Sequence, residues 1–203
     1  MRLEPVTLEG RHVRLEPLSL EHHDALCRVG LDEDLWRLSP ILVESAEEMR
    51  RYIETALQAQ ADGTALPFAI VERGSGTAIG STRYGNIDRA HRRVEIGWTW
   101  IARPWQRTAV NTECKYLLLR HAFETLGCIR VEFKTDVLNA RSRQALLRIG
   151  AKEEGILRSH MVTATGRIRD SVYFSIVDRE WPMVKARLEE MVQRPFPSPR
   201  AAT

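Results

Sequence analysis

The sequence predicts one α+β domain built around a mixed β-sheet. Three observations support this fold class: the length of 203 residues, three strand-like runs in close succession, and alternating helical and strand-like segments after them. The pattern shows neither an internal repeat nor a linker that would divide the chain. We expect a domain over residues 1–193 and a proline-rich, disordered tail over residues 194–203.

The N-terminal half combines two helical stretches with four strands. Residues 12–17 alternate and predict the first strand, and residues 18–29 have apolar positions at helical spacing. Ser45 and Glu48 form a capping box, which predicts a helix that ends near Ala61. Three further strands, joined by polar turns as in an antiparallel meander, are predicted at 66–71, 78–87 and 94–101.

The C-terminal half alternates helices with strands. Helices are predicted at 111–125, at 139–149 before Gly150, and from a cap at Asp178 to about residue 192. Strands are predicted at 130–136, 151–158 and 168–177. The apolar pattern of the last strand is consistent with a homodimer.

Composition excludes several classes of function. The net charge is +3 and the basic residues are scattered, so we expect no nucleic-acid partner. No apolar stretch reaches the roughly 18–20 residues of a membrane span, and the N-terminus lacks a signal-peptide core, so we expect a cytoplasmic protein without membrane contact. The three cysteines form no C-x-x-C pair and the histidines show no metal-ligand spacing, so we expect buried thiols and no metal.

Residues 103–113 join a strand to a helix, an order that is typical of a phosphate site. A helix N-terminus has unpaired N–H groups and partial positive charge, which favour an anion. Such loops normally contain glycine, and here Ala109 and Asn111 are the candidates for the glycine positions, because alanine is small and asparagine tolerates positive φ. An ordinary strand-to-helix turn is the alternative.

Several motifs in this region occur together. They are Gln106–Asn111, the E-I-G at 95–97, the N-T-E at 111–113, the N-x-x-S at 139–142 and the S-I-V-D-R-E-W-P at 175–182. In this combination the chain resembles the RimJ/RimL-like branch of the GNAT superfamily of acyl-CoA-dependent N-acyltransferases, over most of residues 10–192.

This resemblance implies a sheet splayed between its fourth and fifth predicted strands, 94–101 and 130–136, with the pantetheine arm of acetyl-CoA in the gap. It implies that the loop binds the pyrophosphate of coenzyme A. The implied cofactor-binding residues are Trp100, Ile101, Ala102, Gln106, Arg107, Thr108, Ala109, Val110, Asn111, Thr112, Asn139 and Ser142.

Glu95 is the leading candidate for removing the proton of the amine, through water. Regular pleating places it on one face with Gly97, Thr99 and Ile101, with open space above the glycine. The alternative is a structural ion pair on a solvated face, with Arg83 or Lys134. Trp98 and Trp100, on the other face, are expected in the core, His91 is a reserve base, and Cys114 is expected to be structural.

Asn139 and Ser142 begin the next predicted helix. The resemblance implies that Asn139 binds the pantetheine or positions the acyl group, and an N-cap is its alternative role. Many relatives place a proton-donating tyrosine where this chain has Leu146. Ser142, one turn after Asn139, is therefore the candidate that protonates the leaving thiolate. Its alternative is an ordinary first-turn serine.

The function implied is transfer of an acetyl group from acetyl-CoA to a primary amine of a protein, peptide or small molecule. We expect direct transfer in a ternary complex, because the sequence offers no activated Cys–His or Ser–His nucleophile. The alternative is an acyl-CoA-binding sensor without turnover. No motif identifies the amine acceptor.

Overall fold

The protein, seen here in a computed structural model that describes residues 1 and 3–194, combines six α-helices with eight strands. The helices are α1 (His23–Gly30), α2 (Glu33–Trp36), α3 (Ala46–Ala61), α4 (Ala109–Arg120), α5 (Ala140–Ile149) and α6 (Trp181–Gln193). The strands are β1 (Leu8–Glu9), β2 (Val13–Pro17), β3 (Leu66–Glu72), β4 (Ala78–Asp88), β5 (Arg93–Ile101), β6 (Arg130–Asp136), β7 (Lys152–Val162) and β8 (Ile168–Val177).

All eight strands form one sheet in the order β1-β2-β3-β4-β5-β6-β8-β7. The pair of β5 and β6 is parallel, whereas the other neighbouring pairs are antiparallel. The parallel pair requires a crossover, which α4 provides. The predicted α+β fold with a mixed, mostly antiparallel sheet is therefore confirmed.

Apolar side chains cover both faces of the sheet. On one face, Leu117 and Leu118 of α4 and Leu188 of α6 pack in one buried cluster with Val94 and Phe133. On the other face, the helices α1 and α3 form a second cluster with β3 and the end of β5. Its members include Leu26, Met49, Ile53, Val71 and Trp100. The sheet therefore lies between two layers of helices.

The strands β5 and β6 separate after three paired residues. The pairs are Arg93 with Arg130, Val94 with Val131, and Glu95 with Glu132. In the described chain, no further residue of β5 pairs with β6, although both strands continue, to Ile101 and Asp136. This confirms the predicted splay, between the strands that the sequence counted as fourth and fifth.

A β-bulge breaks the expected alternation of β5. The register against β4 shifts between Ser81, which pairs with Trp100, and Arg83, which pairs with Gly97. Two residues, Trp98 and Thr99, therefore oppose one residue of β4, and Trp98 has φ 50°.

The bulge makes the predicted grouping of side chains along β5 wrong. Ile101 joins the α4-side cluster with Val94 and Ile96, not the face of Glu95. Trp100 is in the core as predicted, but Trp98 is 37% exposed, contrary to the prediction.

Three other predictions needed correction at element ends. The helix predicted from residue 111 begins at Ala109, and its last part, His121–Thr125, is a π-helical turn. Asp178 is not a cap but the first residue of a 3₁₀ turn before α6, because Val177 precedes that turn. The strand predicted to end at 158 continues to Val162. Of the predicted tail, residues 195–203 lie outside the described residues.

The strand β7 lies at the end of the sheet and is largely exposed. Ile156 and Leu157 are 45% and 48% exposed on it. Such an edge can pair with another chain, and the homodimer stays a prediction. Across residues 1 and 3–194, no helix combines the length and the apolar character that crossing a membrane requires.

Candidate active site

The segment between β5 and α4 is a turn stabilised by Thr108. After a 3₁₀ turn at Arg103–Trp105, the Thr108 hydroxyl donates to the carbonyl oxygen of Trp105 at 2.6 Å. Thr108 Oγ1 in turn accepts the N–H of Val110 at 3.3 Å, which makes Thr108 the N-cap of α4. The predicted order of strand, loop and helix N-terminus is present.

Arg107, rather than Ala109 or Asn111, has the conformation that usually calls for glycine. Its φ is 62°, whereas Ala109 and Asn111 lie inside α4. A positive φ at Asn111, which its asparagine would tolerate, is therefore absent, because the helix begins two residues earlier than expected. That Ala109 and Asn111 stand at the glycine positions of the family stays a prediction. A positive φ costs an arginine about 1–2 kcal/mol, since Cβ approaches the following carbonyl oxygen.

Two arginines lie near the N-terminus of α4. Arg107 is exposed in the turn itself. Arg148 comes from α5, and its Nη2 donates to Thr112 Oγ1 at 3.2 Å. Sequence reasoning missed Arg148, because only the packing of α5 beside α4 brings it there. Free N–H groups and two cations at one helix end favour a phosphate ligand.

The end of β5 has two of its backbone groups already engaged. The Ala102 N–H donates to the Ile79 carbonyl oxygen at 2.9 Å, and the Ile101 carbonyl oxygen accepts Gln106 Nε2 at 2.8 Å. Gln106 thereby ties the loop to the strand. To bind pantetheine, the Ala102 N–H would have to exchange its partner, whereas the Ile101 carbonyl oxygen can accept a second hydrogen bond.

Glu95 lies at the point where β5 and β6 separate and is 2% exposed. Its Oε2 accepts Asn86 Nδ2 at 2.7 Å and lies 3.5 Å from Lys134 Nζ. The ion pair weighed as an alternative is thus present, but on a buried face instead of a solvated one. A Cβ on Gly97 would lie 2.8 Å from Glu95 Oε1, so glycine is needed to leave the carboxylate its space.

Two residues of the β7–β8 hairpin face the same region, and sequence reasoning missed both. Tyr173 has its ring 5.8 Å from Lys134 Nζ, and burial, followed by the charge of Glu95, raises the pKa of its hydroxyl. His160 packs edge-on against Tyr173 and contacts Ser171 Oγ at 3.0 Å. Burial, followed by the charge of Lys134, lowers its pKa, which favours the neutral imidazole.

Asn139 caps α5, as its alternative role required. Its Oδ1 accepts the Ser142 N–H at 3.0 Å, which leaves the amide nitrogen of Asn139 and the hydroxyl of Ser142 for other partners. Both residues are half-buried, and Leu146 is buried behind them. The cap fixes the two side chains beside each other at the helix start, and their cofactor roles stay predictions.

Lys115 of α4 is a further buried cation that the sequence did not reveal. Its Nζ donates to Thr99 Oγ1 of β5 at 3.0 Å and lies 5.7 Å from the ring of Phe133 of β6. Thr99 and Phe133 both lie beyond the last paired residues of β5 and β6. The Lys115 ammonium therefore lies between the two separated strands, on the side of the sheet that α4 covers. Burial lowers the pKa of Lys115 to about 8.

Three other candidates have structural surroundings. Burial raises the pKa of Cys114 to about 12, which agrees with the structural role expected for it. His91 is exposed in the turn before β5, with Nδ1 2.9 Å from Asp88 Oδ2. Glu113, buried in α4, accepts the N–H groups of residues 11–13 at 2.6–2.8 Å and so fixes the turn between β1 and β2.

Metal ligands were also sought in the described ranges, 1 and 3–194. They contain no group of three or more His, Cys, Asp or Glu residues arranged to hold a metal ion. The expectation that the reaction needs no metal stays a prediction.

Comparisons with known proteins agree with this geometry. The sequence model of the acetyltransferase (GNAT) domain matches residues 12–152. The putative ribosomal N-acetyltransferase YdaF of Bacillus subtilis is 36% identical over 106 residues, which are 52% of this chain and 57% of YdaF.

Solved structures show the same fold. A putative acetyltransferase from T. thermophilus superposes with a TM-score of 0.85 at 38% identity, covering 94% of this chain and 98% of that one. Mycobacterium smegmatis RimJ, solved in complex with CoA-disulfide, superposes with a TM-score of 0.80 at 24% identity, covering 92% of this chain and 94% of RimJ. The chain therefore belongs to the GNAT family of acetyltransferases.

Proposed function

We propose that this enzyme transfers the acetyl group of acetyl-CoA directly to a primary amine in a ternary complex. The proposal rests on three features that lie along β5. Glu95 is buried where the gap between β5 and β6 begins, the gap continues along the strand, and the free N-terminus of α4 follows the end of the strand. A thioester in the gap would then lie beside a carboxylate that can accept a proton.

The loop and α4 would hold the pyrophosphate. Backbone N–H groups between Arg107 and Thr112 point from the helix N-terminus, and Arg107 and Arg148 add two guanidinium groups. The pantetheine arm would continue into the gap, which the missing strand pairing leaves open to hydrogen bonds from the β5 backbone. Membership of the GNAT acetyltransferase family, together with the CoA-disulfide bound by the similarly folded RimJ, supports the choice of acetyl-CoA as donor.

The reaction then needs a base, an acid and a positioned acyl group. The amine nitrogen attacks the thioester carbonyl carbon, a C–N bond forms, and the C–S bond breaks. Glu95 takes the amine proton through a water molecule. The Ser142 hydroxyl gives a proton to the departing thiolate sulfur and regains one from water, while protonated Glu95 releases its proton to solvent. Asn139 positions the acyl group from the start of α5.

A thiol-release assay tests this proposal. Purified protein is mixed with acetyl-CoA and a panel of amines that includes N-terminal peptides and aminoglycosides, and free CoA is followed. We expect amine-dependent CoA release with one acetyl-amine formed for each CoA. Direct transfer would be contradicted if CoA were released without an amine. It would also be contradicted if denatured protein retained one radiolabelled acetyl group per chain. Binding of acetyl-CoA with no turnover on any amine would favour the sensor alternative.

A further inference from the structure

Arg83 of β4 is a buried cation without a counter-ion. Its side chain is 6% exposed, and its guanidinium lies 5.2 Å from the ring centroid of Tyr52 and 5.0 Å from that of Trp98. Among the described residues, no hydrogen bond or ion pair is made by this guanidinium. The two rings therefore fix its position while its N–H groups keep their capacity to donate.

The other two buried cations of the described chain differ in this respect. Lys115 donates to Thr99, and Arg169 has an ion-pair partner in the carboxylate of Asp136 at 3.9 Å, although its Nε makes no hydrogen bond in the described chain. A buried guanidinium is costly unless an anion or hydrogen-bond acceptors satisfy it. No nitrogen of Arg83 is among the fully buried side-chain atoms that lack a hydrogen-bond partner, so the guanidinium is open to a partner from solvent, either water or an acceptor on a ligand.

Arg83 lies on the same face of the sheet as Glu95. In the register of β4 and β5, Arg83 pairs with Gly97 and Gly85 pairs with Glu95, and paired residues share a face. Arg83 and Glu95 are therefore diagonal neighbours, a separation of roughly 7–8 Å in antiparallel sheets. Both residues that complete this square are glycines. The Trp98 indole lies over Gly85 and the Glu95 carboxylate lies beside Gly97, so these two side chains bound the space between Arg83 and Glu95.

The bulge in β5 explains why the Trp98 indole lies beside Arg83 and over Gly85. Its indole lies against Gly85, where a Cβ would come within 2.3 Å of Trp98 Cζ3. Because φ of Trp98 is 50°, the ring turns onto the Arg83 side and stays 37% exposed. The arrangement gives a planar cation between two aromatic rings, with one ring at the surface.

We propose that the amine acceptor carries a carboxylate and that Arg83 binds it. This inference rests on the proposed function, because it assigns the acceptor of that same site. The guanidinium fork matches a carboxylate with two parallel hydrogen bonds. When the carboxylate of a small acidic acceptor or an acidic peptide is bound at Arg83, its amine can reach Glu95, which is the diagonal neighbour of Arg83 on the paired strand.

The test uses primary amines in matched pairs that differ only in carboxylate and amide. Glutamate and glutamine form one pair, and peptides with an N-terminal alanine followed by aspartate or asparagine form another. We expect the wild-type enzyme to prefer the carboxylate member by about 10- to 100-fold in kcat/KM, the range of a charge-assisted hydrogen bond. In Arg83→Met the preference should fall to about threefold or less, and Arg83→Lys should keep an intermediate preference.

The control variant is Arg187→Met. Arg187 is exposed on α6, on the opposite side of the sheet, and its replacement removes the same charge. Arg187→Met should keep the wild-type preference. Acetyl-CoA binding by each variant, measured by calorimetry, confirms that it is folded.

A binding readout separates this inference from the proposed function. The Hε–Nε NMR signal of Arg83, assigned by its loss in Arg83→Lys, should shift when the carboxylate member of a pair is added in the presence of CoA, and not with the amide. If acetyl transfer fails but the signal shifts, the proposed function is wrong and the carboxylate site stands. Equal kcat/KM within pairs for the wild type, or an undiminished preference in Arg83→Met, overturns the inference.

Discussion

The two faces of the sheet differ at the gap between β5 and β6. On the α4 face the neighbours are apolar, and the buried cation Lys115 donates to Thr99. On the opposite face, Glu95, Lys134, Tyr173 and Arg83 lie near one another, and Arg83 lacks a counter-ion among residues 1 and 3–194. Buried charged groups are costly to stability. We therefore expect the second face to carry the chemistry.

The largest effect is expected from Glu95→Gln, which removes the base but keeps the shape. We expect kcat/KM for the amine to fall by about 10²- to 10⁴-fold, the usual contribution of general base catalysis. Affinity for acetyl-CoA should stay within about threefold, because the amide can still accept from Asn86. Steady-state kinetics and calorimetry measure the two quantities. A loss of acetyl-CoA binding equal to the loss of rate would show that Glu95 supports the fold instead.

Ser142→Ala tests the start of α5. If the hydroxyl protonates the thiolate, kcat should fall by roughly 10- to 1,000-fold while KM for acetyl-CoA changes little. Asn139→Ala is the paired variant: it removes the cap that bonds Ser142 N–H and should weaken both acetyl-CoA binding and stability, the latter by about 1 kcal/mol. A kcat within about twofold of wild type, when chemistry limits the rate, would leave Ser142 as a helix-start residue and make water the proton donor.

Lys115→Met tests the α4 face, where a charge is buried and the pKa falls from 10.5 to about 8. In the unfolded chain the amine keeps its proton up to about pH 10.5, so between pH 8 and 10.5 the unfolded state binds more protons and wild-type stability rises with pH. The variant lacks this penalty and should be more stable at pH 7 by about 1–3 kcal/mol.

Urea unfolding at several pH values measures this difference. The advantage of Lys115→Met should shrink as pH rises from 8 to 10.5. Lys152→Met, which changes an exposed lysine, is the control and should show little pH dependence. A variant less stable than wild type at pH 7 would mean that the Lys115 ammonium stabilises the fold.

The smallest effect is expected from Arg148→Met, beside the N-terminus of α4. KM for acetyl-CoA should rise by about tenfold, because one charge-assisted contact to phosphate is lost. S-acetylpantetheine, which has no pyrophosphate, provides the matched control and should be used equally well by both proteins. An equal loss with both donors would place Arg148 away from the phosphates.

Local patterns predicted much of the fold. The capping box of Ser45 and Glu48 is present at the start of α3, and the strands of the meander lie within a residue or two of their predicted ends. The alternation of β5 failed because a bulge depends on how β4 and β5 pair, which one strand does not encode. The four-residue helix α2 was missed because such a segment is too short for a periodic signal.

The site was predictable only where motifs are contiguous. The loop, Glu95 and the start of α5 come from adjacent residues in the sequence. Arg148, Lys115 and Tyr173 could not be found, because the tertiary fold brings them to the site from separate segments. Arg83 was considered only as an ion-pair partner of Glu95, whereas its contacts with Tyr52 and Trp98 depend on the tertiary fold. The positive φ of Arg107 was not foreseen, because the exact start of α4 decides which residue has it.

Titration calorimetry of the wild-type protein with acetyl-CoA tests the central claim most directly, because every proposed role depends on the cofactor occupying the gap and the loop. The account predicts one site per chain with a Kd roughly between 1 μM and 1 mM, the usual range of KM values. It also predicts weaker binding of S-acetylpantetheine, which lacks the phosphates. Absence of saturable heat at acetyl-CoA concentrations above about 1 mM, with folded protein, would contradict it.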